Sequence, residues 1–325
     1  MKPMASPLLK WFYLIVIAAL LAVVPFVLSP YWVTLVNQTL IYAILAMSLD
    51  LLLGYTGLPS FGHAGFFGTG TYVVAILSTR YGVGFWGCCT SSFLFTTGVA
   101  AVFGLIVAHS SGVYYLMITF ALGMVLWGLT LRWGSMTGGD NGISNIPRPD
   151  IGLLNLANPV SLYFFSLVAF ALILLALYIL VRSPFGHTLR GIRASESRMQ
   201  ALGYNTWLHK YLAFVISGAF AGLGGILWAY YNAFVSPSDL DMAATMEAFF
   251  MVILGGPGTL FGATIGAGVI IFLKDFISAY THRWLIFLGL IYIVIIFFAP
   301  EGLMNLRSRY RKGETKEETA VPLRQ

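Results

Sequence analysis

The chain has 325 residues, of which 58% are hydrophobic and only 9% charged, with a mean hydropathy of +0.84. Ordinary soluble domains carry roughly 25% charged residues, so this composition excludes a water-soluble globular protein and indicates a chain that crosses a bilayer repeatedly. The net charge of +6 comes from basic residues that flank apolar runs, where the positive-inside bias places them, and it leaves no footprint for nucleic acid.

Apolar segments fall at 11–29, 32–53, 60–79, 86–108, 113–132, 160–181, 211–231, 244–254, 258–276 and 283–299, and the eighth is unusually short. A helix needs about 20 apolar residues to cross the hydrocarbon core, whereas a membrane barrel shows short alternating segments. The expected fold class is therefore an all-α polytopic integral membrane protein. It should have about ten transmembrane helices, with at least one broken or re-entrant segment. The first segment follows Lys2 and Lys10 and reads as a retained signal anchor.

If those two lysines are cytoplasmic, six crossings return the chain to the cytoplasm at Arg182, in agreement with the basic stretch that follows. Arg307, Arg309, Arg311 and Lys312 also ask for the cytoplasm. Parity then requires 244–276 to break at the Gly255-Gly256-Pro257-Gly258 run, as two crossings or with one re-entrant part. The organisation expected is one transmembrane domain over 1–306, with an extracytoplasmic loop at 133–159 and a cytoplasmic loop at 182–210. A polar tail follows at 307–325.

Near the start, GYTGLPSFGHAGFFGTGTY (54–72) interleaves glycines and Pro59 with Ser60, His63, Thr69 and Tyr72. Irregular backbone at membrane depth is tolerated only where it is buried in protein or lines a watery cavity, so these four residues are candidates for a translocation path. The competing reading is a cytoplasmic turn followed by an ordinary glycine-packed helix. His63 has no second histidine or carboxylate at ligand spacing, which favours hydrogen bonding over metal binding. Asp50 and Glu247 are ionisable groups within or beside apolar segments, and such groups default to functional hypotheses. Thr119 and Glu247 complete the candidate path.

Cys88 and Cys89 are adjacent, poorly placed for a disulfide and too few for zinc. TGGDNGISNIP (137–147) lacks both the late carboxylate of a calcium loop and the lysine of a phosphate loop, and no such lysine follows GGPGTLFG at 255–262. No nucleophile elbow or paired-histidine metal motif supports a membrane enzyme. Gly218 and Gly222, and further on Gly258, Gly262 and Gly266, recur at spacings of four and so line helix faces suited to close packing.

The stretch 182–210 concentrates charge in an otherwise apolar chain. Arg190 and Arg193 alternate with Leu189, Ile192, Ala201 and Leu202 in the pattern of one short amphipathic helix, and Gly203 with Asn205 offers its stop. The positive-inside bias explains the charge but not the apolar face, which suggests docking to another protein.

Several blocks together resemble the LivM-type permeases of bacterial branched-chain amino-acid ABC transporters. They are SLDLLLGYTGLPSFGHAGFFGTGTY from Ser48, GVYYLMITFALGMV from Gly112, TGGDNGIS from Thr137, SPFGHTLRGIRASESRMQALGYN from Ser183, MEAFFMVILGGPGTLFGATIGA from Met246 and APEGL from Ala299. The resemblance implies a permease of the bacterial inner membrane that works with a second, related permease. Two cytoplasmic ATPases and an extracytoplasmic solute-binding protein would complete the system. ATP and magnesium would sit on the ATPases, and this chain would bind no cofactor. Arg190, Arg193, Glu196, Arg198, Ala201, Leu202 and Gly203 would form the ATPase-coupling element, with seven residues from Glu196 to Gly203. The substrate would be a branched-chain amino acid or a similar small solute, with urea, amides or aromatic acids carried by related systems. A different class, a self-sufficient proton-coupled transporter, would instead use Asp50, His63 or Glu247.

Overall fold

The computed structural model describes residues 21–149 and 156–281, with scattered positions from 286 to 304. The last expected segment, 283–299, lies mostly outside the described residues, as do half of the first segment and the whole tail 307–325. Among the described residues six helices are long and apolar enough to cross a membrane. They are α1 (Pro30–Asp50, extended by a π-helical stretch Leu51–Thr56), α3 (Phe85–Val107), α4 (Gly112–Arg132), α5 (Pro159–Arg182), α8 (Thr206–Asn232) and α10 (Leu260–Tyr280). Between them lie α2 (His63–Arg80), the short helices α6 (Pro184–Ala194) and α7 (Glu196–Ala201), and the 14-residue α9 (Met242–Gly255).

Local chemistry sets several of these boundaries. The Asn158 side chain accepts from Val160 N at 3.0 Å ahead of Pro159, so α5 begins with a cap and a proline that needs no amide partner. Asn205 caps α8 in the same way through Leu208 N at 3.0 Å. Gly203, with φ of 86°, ends α7 in the left-handed conformation, as its position in the sequence predicts. The single amphipathic helix expected across 190–203 is two helices. Ser195 interrupts them with an extended backbone and caps the second through Arg198 N at 3.4 Å.

Contacts at opposite ends of each pair fix the relative directions. Trp32 stacks on Phe272 while Asp50 meets Gly258, so α1 and α10 are antiparallel. Ser217 lies beside His63, and Gly225 beside Phe67 and Thr71, so α2 and α8 run in the same sense. Gly104 meets Tyr211 while Thr96 meets Gly222, which sets α3 against α8. Two-residue strands, Ile143–Ser144 and Phe234–Val235, pair antiparallel and join the long loop to the end of α8. Tyr230 O and Tyr231 O at that end accept from the Arg148 guanidinium at 2.9 and 2.7 Å.

Lipid is as apolar as any leucine, so helices in it associate through close packing and hydrogen bonds rather than through hydrophobic burial. The centre of this bundle follows that logic. Backbone atoms of α2 and α8 touch at Gly70 with Gly222 and at Phe67 with Gly225, and Thr71 Oγ1 donates to Gly225 O at 3.0 Å across the contact. Gly218 and Gly222 lie against Ala100 and Thr96 of α3. Gly262 and Gly266 press against the α9 backbone at Gly255 and Met251, and α9 with α10 makes an antiparallel hairpin. Gly258 departs from the expected face: it precedes α10 in the turn between the two helices, with φ of 85°.

A side chain at Gly225 would overlap the Phe67 carbonyl. Gly225→Val should therefore destabilise the protein by about 2 kcal/mol or more. Gly98→Ala meets open space and should change stability by less than about 0.5 kcal/mol. Thermal unfolding of the purified variants in detergent checks the contrast, and equal melting would contradict it.

Candidate functional site

The polar groups gather in two places, one inside the bundle and one at the end that carries α6 and α7. The first is built around the start of α2. The backbone of 57–62 is not helical, and α2 begins without a capping side chain of its own. Orphan amides at a helix start need partners when water is excluded. Here they come from other helices. Thr119 Oγ1 of α4 accepts from Phe61 N at 3.1 Å, and Thr245 Oγ1 of α9 accepts from Ala64 N at 3.1 Å. Thr119 lies about 10 Å along α4 from its first residue at 1.5 Å per residue, so this break sits well inside the bundle. An irregular stretch of backbone, 57–62, thus lies within the bundle.

His63 projects from this start into the α1–α8 interface. Its Nε2 lies 2.9 Å from Ser48 Oγ and 3.3 Å from Ser217 Oγ, and Ser217 in turn donates to Ser48 O. All three are fully buried, with no metal-ligating cluster among the described residues. The arrangement ties α1, α2 and α8 together through one imidazole, whose Nδ1 has no partner.

The other expected path residues divide. Ser60 is fully buried with an unpartnered hydroxyl. Thr69 is buried and donates to Gly65 O at 2.6 Å, and Tyr72 is buried in the second apolar cluster beneath α3. Glu247 pairs with Lys274 of α10, both carboxylate oxygens lying within 3.0 Å of Nζ. The expected path thus resolves into one cluster (Ser60, His63, Thr119), a tyrosine and threonine further along α2, and an ion pair across the α9–α10 hairpin. A crevice of about 410 Å³ among α3, α5 and α8 is lined by groups such as Phe93, Leu180 and Phe220 and contains none of these residues. Ser48, Ser217, Thr245 and Lys274 were not singled out from sequence. A lone serine or threonine within a long apolar helix carries no periodic signal, and the lysine lies just within the apolar run.

At the other place, α6 folds back along the ends of α1 and α5. Arg190 donates to Val181 O at 2.6 Å and lies over the Tyr55 ring at 5.4 Å, while Arg193 Nη1 donates to Gly54 O. Each arginine thus bonds its own chain through the guanidinium, while both residues remain exposed overall. Glu196 turns inward, to Lys210 Nζ at 2.8 Å, and Lys210 is only 5% exposed. Burying that ammonium requires such a partner, since removing one side of a buried pair leaves an uncompensated charge. Lys210 Nζ also reaches Ser110 O at 3.3 Å, so the pair links α7 to the α3–α4 turn. Arg190, Arg193 and Ala194 of α6 are exposed, and so is the end of α7. Arg198, Ala201, Leu202, Gly203 and Tyr204 are exposed, Leu202 at 67% and Tyr204 at 46%.

Residues 31–299 match the family model described as the branched-chain amino acid transport system permease component. The chain is 29% identical to the high-affinity branched-chain amino acid transport system permease protein LivM of Salmonella typhimurium, over 91% of this chain and 76% of that protein. Identity to the LivM protein of Escherichia coli K12 is also 29%, over 95% and 79%. The LivH permease of the same organism is 23% identical, over 81% and 91%. No solved structure matches. A bundle of apolar helices with an irregular stretch of backbone inside it and a folded-back helix pair at one end agrees with these matches: the chain belongs to the branched-chain amino acid transport permease family and is a multi-pass permease subunit of an ABC importer rather than an enzyme.

Proposed function

We propose that this chain imports branched-chain amino acids, or closely similar small zwitterions, across the bacterial inner membrane as one half of a permease pair. The partner would be a second, related permease. Two cytoplasmic ATPases would carry the ATP and magnesium, and an extracytoplasmic binding protein would deliver the solute. The reading is supported by similarity to the LivM proteins along nearly the whole chain. The observation that carries it is the α6–α7 pair. It is pinned to the bundle on one side by Arg190, Arg193 and Glu196, and it offers exposed Leu202 and Tyr204 on the other. An exposed tyrosine with a leucine two residues before it, at the end of a helix bonded to the bundle, offers apolar surface that a protein partner can bury.

The direction of each described helix supports ten crossings with both ends cytoplasmic. With α6 and α7 inside, α1 leads inward, α2 outward, α3 inward, α4 outward and α5 inward; α8, α9 and α10 continue the alternation, leaving one segment before and one after. The domain would span 1–306, with 182–210 as the coupling loop, 133–159 outside the cell and 307–325 as a cytoplasmic tail. In the assembled importer, Ser60, His63, Thr69, Tyr72, Thr119 and Glu247 would border the path, and Arg198, Ala201, Leu202 and Gly203 would meet the ATPase. A zwitterion needs only a few hydrogen-bonding groups among apolar walls, so affinity can reside in the binding protein. The Glu247–Lys274 pair compensates a charge that a proton-coupled carrier would need free, which disfavours that alternative.

Uptake of labelled leucine by proteoliposomes containing the permease pair, the ATPases and the binding protein should require all of them and ATP. Uptake by this chain alone, driven by a proton gradient, would refute the proposal. Leu202→Asp should weaken co-purification of the ATPase by about tenfold or more, as expected for loss of a buried apolar anchor, and undiminished co-purification would remove Leu202 from the contact.

A further inference from the structure

The guanidinium of Arg193 on α6 meets the end of α1 and the α9–α10 turn at one point. In the π-helical stretch Leu51–Thr56, each carbonyl looks five residues ahead for its amide. For Gly54 that residue is Pro59, which has no N–H. The amide of Leu58, four residues ahead, is already committed to Leu52 O at 2.9 Å. The Gly54 carbonyl is thus left open by the sequence itself, and Arg193 Nη1 fills it. One turn earlier on α1, Asp50 Oδ1 accepts from Gly258 N at 2.7 Å, and Gly258 is the hinge of the α9–α10 turn. The two bonds are in contact. A Cβ at Gly258 would lie 3.1 Å from Gly54 O and 3.2 Å from Arg193 Nη1, and one at Gly57 would lie 2.8 Å from Arg193 Cγ. Gly57, Gly256 and Gly258 all have positive φ, at 77°, 109° and 85°, so the chain makes room for the arginine with glycines. Asp50 is fully buried and its Oδ2 has no partner.

We propose that Arg193, Asp50 and Gly258 form a joint that carries movement of α6 directly to the α9–α10 turn, so that the cytoplasmic end of the path opens and closes with the ATPases. This rests on the importer reading. Arg193 is then a positioning residue, its guanidinium bonded to the bundle while the residue as a whole stays exposed. Displacement of α6 pulls on Gly54 O through a charge-assisted bond, and the turn follows because its amide is held by Asp50 one helical turn away. A carbonyl held by a single guanidinium, with no competing backbone amide, lets α6 shift without unwinding α1.

The test is the number of solute molecules translocated per ATP hydrolysed by the complete reconstituted complex, with labelled leucine as the probe. Arg193→Gln should lower that ratio by about tenfold, the scale of losing one charge-assisted hydrogen bond, and Asp50→Asn should lower it by a similar factor. Arg193→Lys keeps a donor and should retain most of the ratio. The double variant Arg193→Gln with Asp50→Asn should be no worse than either single one, because both act through one joint. An unchanged ratio in Arg193→Gln overturns the inference. So does failure of both Arg193→Gln and Arg193→Lys to assemble, since that assigns the residue to folding alone. Wild-type uptake that needs no ATP overturns the importer reading instead, and is distinguished by the unsubstituted complex.

Discussion

The backbone contact between α2 and α8 is the constraint from which the rest of the bundle follows. Gly70 against Gly222 and Gly225 against Phe67 bring two chains closer than any side chain permits. In lipid, that approach stands in for the hydrophobic burial that orders a soluble core. With α2 held there, its start falls inside the bundle, and the residues before it must run as irregular backbone at membrane depth. That backbone survives because α4 and α9 supply Thr119 and Thr245 to its amides and because His63 is shared with Ser48 and Ser217. One steric fact thereby recruits five helices.

The end that carries α6 and α7 is organised differently, by charge rather than by small residues. Three basic groups and one carboxylate that the positive-inside bias alone would leave in solvent are each turned onto the bundle: Arg190 on Val181 and Tyr55, Arg193 on Gly54, and Lys210 with Glu196. Their effect is to hold two short helices, neither of which would be stable alone, in a fixed attitude. These bonds tie the pair to its own chain, while Arg190, Arg193, Leu202 and Tyr204 remain exposed on it.

Much of this was legible in the sequence. The apolar segments, the break at 255–258, the stop at Gly203 and the irregular 54–62 region all follow from composition and from glycine and proline placement. The helix-packing glycines were legible by spacing, apart from Gly258. Its four-residue register with Gly262 matches a helix face, yet Pro257 and the neighbouring glycines end one helix before the next begins. The bonding of Arg190, Arg193 and Glu196 to their own chain was not legible, because charge patterning tells which side of a membrane a residue occupies but not which neighbour it meets. Nor were Ser48, Ser217 and Thr245. Their importance depends on which distant helix they face, and the Gly54 carbonyl became informative only once the π-helical register placed Pro59 opposite it.

The central claim is that α6 and the α9–α10 turn move as one body during transport. It is tested most directly by spin-label distances in the complete complex, with Cys88 and Cys89 replaced by serine and labels at His187→Cys on α6 and Pro257→Cys in the turn. A third label at Tyr114→Cys, exposed on α4, serves as a reference. On adding ATP the separation between 187 and 257 should stay constant, while both shift relative to 114. A change between 187 and 257 as large as either shift would contradict the account.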